Sequence, residues 1–154
     1  MGSMKRALLA LTLSLGAAGA ALAATSVTEV ITTRQANLKD MGKSFKAIND
    51  TLKTDAPDLA LIGPNAAKIK KYADALPTWF PKGSGPEAGV KTAAKPEIWA
   101  QSADFAAAAK RLQVEAAKFS AVAGTKDIDA IKAQAKATGE ACGGCHKPFR
   151  VKDS

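Results

Sequence analysis

The chain has 154 residues, of which 47% are hydrophobic, 23% charged and 5% aromatic, and it carries a formal net charge of +8 at pH 7. That length suits one compact domain with a single core. The basic balance alone would admit nucleic acid, but the arginines are not clustered and rings for base stacking are scarce. No nucleic-acid partner is expected, and the lysines read as a solvated surface suited to acidic redox proteins.

Lys5 and Arg6 precede an uninterrupted small and apolar run from Ala7 to Ala23 that ends in Ala21-Leu22-Ala23. This is the layout of a secretory signal with its small-residue cleavage site. Met1-Gly2-Ser3 stand ahead of it as a cloning scar or an upstream start. Residues 1–23 are therefore set aside, and residues 24–154 are expected to form the mature domain. The apolar run is too short and too rich in small residues for a membrane anchor, and nothing later can span a bilayer. An exported product with no membrane span is expected.

Pro and Gly divide the remaining Ala-, Lys- and Leu-rich chain into four helix-length pieces. Ser26-Val27-Thr28-Glu29 is a capping box that starts a first helix at Val27. Val27, Ile31, Arg34, Leu38, Met41, Phe45, Ile48 and Leu52 then recur at steps of four and three, a heptad seam that lasts until Asp55-Ala56-Pro57. A second helix is predicted from Gly63-Pro64, with proline in its first turn, to just before Pro77, with Ala66, Ile69, Ala73 and Leu76 inward. Between Pro77 and Lys95 lies a crossover loop carrying Trp79 and Phe80, long enough to be expected to cover something. Pro96 opens the third helix, with Trp99, Phe105, Leu112, Ala116 and Phe119 inward, and Gly124 stops it. Asp127 caps the fourth, in which Ile128, Ile131, Ala135, Thr138, Cys142, Cys145 and Phe149 follow helical spacing. The pattern specifies an all-α fold, an antiparallel four-helix bundle, the architecture that places cofactors between facing helices.

Cys142-Gly143-Gly144-Cys145-His146 contains both cysteines and the one histidine of the chain. C-x-x-C-H is the attachment pattern of a c-type haem: two thiolates add across the vinyl groups, and the following imidazole ligates iron. On a helix Cys142 and Cys145 are neighbours at i and i+3, and His146 lies at i+4 from the first. A disulfide oxidoreductase would want a strand before the motif in a βαβ unit, and a structural zinc site would want a fourth Cys or His. Neither is in the sequence, so one covalently bound haem c is expected, with His146 on iron and an all-α bundle around it. Gly143 and Gly144 each weaken a helix by about 1 kcal/mol relative to alanine, and Pro148 removes a backbone donor. The last helix is therefore expected to depend on its cofactor.

Arg34 interrupts the apolar seam of the first helix. A guanidinium pointing into a bundle is costly unless paired, and haem propionates would supply two carboxylates; the alternative is a head that snorkels to the bundle end while its stem packs. With the histidine committed, Met41 is the one familiar second iron ligand left in the mature chain. At a heptad position between Leu38 and Phe45 it also reads as plain core. If Leu38 faces the iron instead, the sixth site is empty and apolar, open to small neutral diatomics and without a hydrogen-bond donor for dioxygen.

Arg34-Gln35-Ala36-Asn37-Leu38, the Leu76-Pro77 turn into an aromatic loop, Pro96-Glu97-Ile98-Trp99, and Cys142 to Arg150 together resemble the cytochrome c′ family over essentially the whole mature sequence. The resemblance implies an exported monohaem bundle, often a homodimer, with Cys142 and Cys145 as thioether anchors and His146 as proximal ligand. It puts Arg34 and Gln35 at the haem edge and Leu38 over the iron. Low-spin relatives carry methionine at that distal position, so leucine favours five-coordinate iron. Arg150, four residues after His146, matches an arginine beside the proximal imidazole; its bland reading is a basic residue in the last helical turn, favourable with the macrodipole. The stretch from Lys91 to Lys95 is expected near the haem, with Thr92 a candidate propionate contact.

The leading reading is a periplasmic haem protein that binds nitric oxide, and carbon monoxide in vitro, and limits nitrosative stress. The second is an electron-transfer cytochrome, low-spin or high-spin, meeting a redox protein partner, with Met41 as the candidate sixth ligand. Enzymatic turnover would call for a distal acid or base to move protons, and Leu38 offers none, so no catalytic residue is expected. Apolar residues on the outer face of the first helix are too few to argue a dimer physically; a homodimer follows from the resemblance alone.

Overall fold

The computed structural model describes residues 25–152. The expected signal segment, residues 1–23, lies outside the described residues. Among those described there are helices and no strands: α1 (Val27–Thr51), α2 (Leu59–Ala75), α3 (Glu97–Ala100), α4 (Ser102–Val122) and α5 (Ile128–Phe149), with short 3-10 turns at Leu76–Trp79 and Pro86–Ala88. None of these helices is long and apolar enough to cross a membrane.

α1 starts where its cap dictates. The Ser26 hydroxyl accepts a hydrogen bond from the Glu29 amide at 3.2 Å, satisfying one of the first-turn donors that the helix itself cannot. Its inner face is Ile31, Arg34, Met41, Ser44 and Ile48, all buried. Val27, expected on that seam, is 41% exposed because it precedes the first turn that packs.

α2 begins a full turn earlier than Gly63-Pro64. The Asp58 carboxylate accepts from the Ala60 and Leu61 amides at 2.9 and 3.2 Å, so it holds the first turn and leaves Pro64 inside the helix. Pro64 then forfeits only one backbone donor, and the added turn buries Ile62. The third predicted helix is two helices. Gln101, at φ −115° and ψ 50°, breaks the run after one turn. Ile98, 4% exposed, takes the inward place expected of Trp99. The Trp99 indole instead donates to the Phe80 and Pro81 carbonyls, each at 3.1 Å, and lies along the crossover loop.

α4 buries Phe105, Ala109, Leu112, Ala116 and Phe119 at steps of four and three, as a bundle helix should. The Asp127 carboxylate accepts from the Ala130 amide at 3.0 Å and starts α5, which continues through Gly143, Gly144 and Pro148 to Phe149. A Cβ added at Gly143 or Gly144 would meet nothing within 4 Å, so the packing of the chain itself does not require either glycine.

The bundle closes on three sides. α1 packs on α2, α2 on α4, and α4 on α5, whereas α1 and α5 are not among the closely packed pairs. They touch where the Phe45 ring lies against Gly139, at 3.2 Å from where a Cβ would stand. α1 and α2 are also joined on the outside: the Tyr72 hydroxyl donates to Asp40 at 2.8 Å, with Lys68 at 3.4 Å from the same carboxylate. The Tyr72 bond, then Lys68 and Lys43, hold the Asp40 carboxyl below its ordinary value of 3.8. A carboxylate with a depressed folded pKa stabilises the fold above its ordinary range, and that contribution disappears as pH falls through the depressed value. Tyr72→Phe is therefore expected to lower Tm at neutral pH and to bring it closer to wild type as the acid range is reached. Parallel thermal melts across acid pH check this.

Candidate haem site

The open side of the bundle is a cleft of about 520 Å³ between α1 and α5. α1 contributes Arg34, Gln35, Leu38, Met41 and Phe45; α5 contributes Cys142, Cys145 and His146; the crossover contributes Phe80 and Thr92; Arg150 borders it from just beyond α5. Every residue singled out in the sequence as a cofactor contact or metal ligand thus meets at one cavity. Its deeper walls are hydrocarbon, including Ile69, Leu112, Phe105 and Phe149. Phe105 stands edge-on to both Phe80 and Phe149, with centroids at 4.9 and 5.3 Å.

The helical register makes one turn of α5 a clamp. Ala141 faces the core, which turns Cys142 and Cys145 half-buried toward α1. The two cysteines are not joined in a disulfide. Burial raises both thiol pKa values, and burial together with the neighbouring Cys142 pushes Cys145 up to about 11. His146 is exposed as a residue, but one side of its ring borders the cleft. Partial desolvation, then the charge of Arg150, lowers its imidazole pKa from the ordinary value, a shift that favours the neutral form that ligates metals. Among the described residues no three His, Cys, Asp or Glu side chains converge on a bare metal ion. Two thiols one turn apart, a lone neutral imidazole and an apolar slot beside them suit a porphyrin that brings its own four nitrogens.

Arg34 does not snorkel. It is 2% exposed, and its terminal nitrogens donate four hydrogen bonds to the crossover: Nη1 to the Trp79 carbonyl at 3.3 Å and Ser84 Oγ at 3.0 Å, Nη2 to the Ser84 carbonyl at 3.0 Å and Thr92 Oγ1 at 3.2 Å. Four of the five N–H donors of a guanidinium are thus committed to this grip. The cation also lies over the Phe80 ring, 4.5 Å from its centroid. Burial pulls its pKa down from the ordinary value. Gln35, exposed, donates from Nε2 to the Lys91 carbonyl at 2.8 Å. Arg34 and Gln35 of the α1 motif therefore both bind the loop.

Leu38 is half-buried on the cleft wall one turn after Arg34, and Met41, 9% exposed, follows it on the same wall. Arg150 is not in the last helical turn. It caps α5 in an extended conformation, φ −119° and ψ 134°, with its amide donating to the His146 carbonyl at 3.0 Å. That exit lets residues 149–151 pair with 93–95 of the crossover. Sequence reasoning missed Ser84, because Gly83-Ser84-Gly85 has no periodicity and its partner lies 50 positions earlier. It missed Gly139 too, whose missing side chain seats Phe45.

Residues 29–150 match the family model described as Cytochrome C'. A cytochrome c' of Rhodopseudomonas palustris is 38% identical over 133 residues, 85% of this chain and 88% of the relative. Cytochrome c-554 of Cereibacter sphaeroides is 33% identical, over 94% and 96% of the two chains. The crystal structure of cytochrome c' from Rubrivivax gelatinosus superposes with a TM-score of 0.74 at 30% identity, over 80% of this chain and 96% of that one. An Alcaligenes xylosoxidans cytochrome c prime variant solved as a nitric oxide complex gives a TM-score of 0.74 at 27% identity, over 82% and 98%. The chain belongs to the cytochrome c′ family, helical bundles that bind one covalently attached haem c.

Proposed function

We propose that this chain is an exported, periplasmic haem protein that binds nitric oxide and carbon monoxide and serves in nitric oxide scavenging. In this reading Cys142 and Cys145 form the thioether bonds and His146 is the proximal ligand. Leu38 covers the opposite face. Arg34, Gln35 and Thr92 border the haem edge, and Arg150 flanks the imidazole. Residues 1–23 act as the export signal, removed before maturation. Haem, when bound, supplies a redox-active iron able to take a diatomic ligand.

The observation that carries the reading is the hydrocarbon wall facing the C-x-x-C-H turn. Leu38, Met41 and Phe45 of α1 give that wall no proton donor. The ionisable α1 residues bordering the cavity are Arg34, committed to the crossover, and Lys39, exposed at its mouth. Such a site holds neutral diatomics without polarising bound dioxygen, and it offers no general acid for turnover, so the protein is read as a binder and not an enzyme. Likeness adds support, since Alcaligenes xylosoxidans structures are described with bound NO and with bound carbon monoxide. A homodimer is part of the proposal by likeness to a cytochrome c' described as having a ligand-controlled dimer dissociation.

Titration of the ferrous holoprotein with nitric oxide is expected to saturate at one equivalent per haem, with a change in the Soret band. An unchanged spectrum would overturn the reading. One observation favours a second reading, electron transfer with Met41 as sixth ligand: Met41 borders the same wall as Leu38. That alternative predicts a ferrous spectrum indifferent to carbon monoxide.

A further inference from the structure

The crossover is bonded to both of the helices that the cleft separates. On the α1 side it receives the four guanidinium bonds of Arg34 and the Gln35 bond to the Lys91 carbonyl. On the α5 side, the Lys95 amide donates to the Phe149 carbonyl at 3.0 Å and the Val151 amide to the Ala93 carbonyl at 2.8 Å. The latch on α1 is centred on Ser84, which is 1% exposed. Its hydroxyl accepts from Arg34 while donating to the Pro81 carbonyl at 2.8 Å, so the guanidinium is tied into the loop's own turn.

That latch also shapes the cavity. Phe80 and Thr92 line the wall from the loop together with Ala93 and Ala94, and Arg34 holds the first two, one through its ring face and one through Oγ1. Leu38 lies one turn beyond Arg34, on the same face of α1. A loosened latch would weaken the hold on Phe80 and Thr92 together, beside the turn of α1 that carries Leu38. Bonds from a buried cation are the stronger class, so this contact governs how often that edge opens.

We propose that the crossover is a strap over the cleft, and that the Arg34–Ser84 latch sets how readily a diatomic ligand reaches the space beside Leu38, with Ser84 as a positioning residue. The proposal rests on the gas-binding reading above. It is tested on Ser84→Ala holoprotein by amide hydrogen exchange of residues 92–95 and by carbon monoxide association with the ferrous protein. Both rates are expected to rise about 10- to 150-fold, the shift in an opening equilibrium that follows from losing one hydrogen bond to a charged group. The visible spectrum before carbon monoxide is added should be unaltered. Unchanged exchange would show that Ser84 does not hold the strap, and faster exchange with unchanged association would show that the strap does not control access; either overturns the proposal. Should Ser84→Ala fail to fold, Ser84→Cys, which keeps the size of the side chain and weakens it as an acceptor for Arg34, is read by the same two rates. A wild-type protein that binds no carbon monoxide would sink the gas-binding reading itself, an outcome seen before any variant is made.

Discussion

Replacing Cys142 and Cys145 together with serine is expected to abolish covalent haem and to melt the end of α5. The walls of the cleft are hydrocarbon, among them Ile69, Leu112, Phe105 and Phe149, which would meet water if no cofactor covered them, and the whole stability of a domain is only about 5–15 kcal/mol. The last turns of α5 have little of their own to resist with. Gly143 and Gly144 each lower helix propensity by about 1 kcal/mol, Pro148 lacks a backbone donor, and α1 is not closely packed on α5. Acid extraction followed by the pyridine haemochrome assay should find no protein-bound haem in the variant. Circular dichroism should show reduced helicity and a broadened melt, whereas full helicity with a wild-type melt would mean that the polypeptide alone sustains the bundle.

Leu38→Ala is expected to accelerate carbon monoxide association by about 5- to 150-fold. A ligand arriving beneath a packed leucine must displace it, and overpacking an apolar site costs about 1–3 kcal/mol, which converts to that factor in rate. Leu38 is half-buried and borders the cleft, so truncation enlarges the cavity without exposing a polar group. Flash photolysis measures the effect. An unaltered rate would remove Leu38 from the ligand's path and direct attention to Met41, its neighbour on the wall. Leu38→Met serves as the converse: a thioether placed there should convert the spectrum toward the low-spin form.

What the sequence revealed followed from local chemistry. Ser26 and Asp127 are caps in the structure because each sits immediately before an apolar seam, and the seam of α4 runs from Phe105 to Phe119. The attachment motif is contiguous, so its geometry on a helix could be stated in advance. What stayed hidden depended on distant partners. By sequence Pro64 reads as a first-turn proline, but Asp58 holds the amides of Ala60 and Leu61 and starts the helix a turn earlier. The break at Gln101 has no local marker; it accompanies an indole bonded to carbonyls 18 and 19 positions away. Arg34 was legible as a buried charge in need of acceptors. That its acceptors include Ser84 and two loop carbonyls is a matter of tertiary contact, and it makes the arginine a fastener of the loop in addition to a border of the haem cleft.

The visible spectrum of the ligand-free ferrous holoprotein tests the central claim most directly. An iron held by His146 on one side and faced by hydrocarbon on the other should give a broad high-spin envelope that sharpens and shifts when carbon monoxide is added. A narrow low-spin α-band already present without ligand, and unmoved by carbon monoxide, would mean that Met41 or another group occupies the sixth position, and would contradict it.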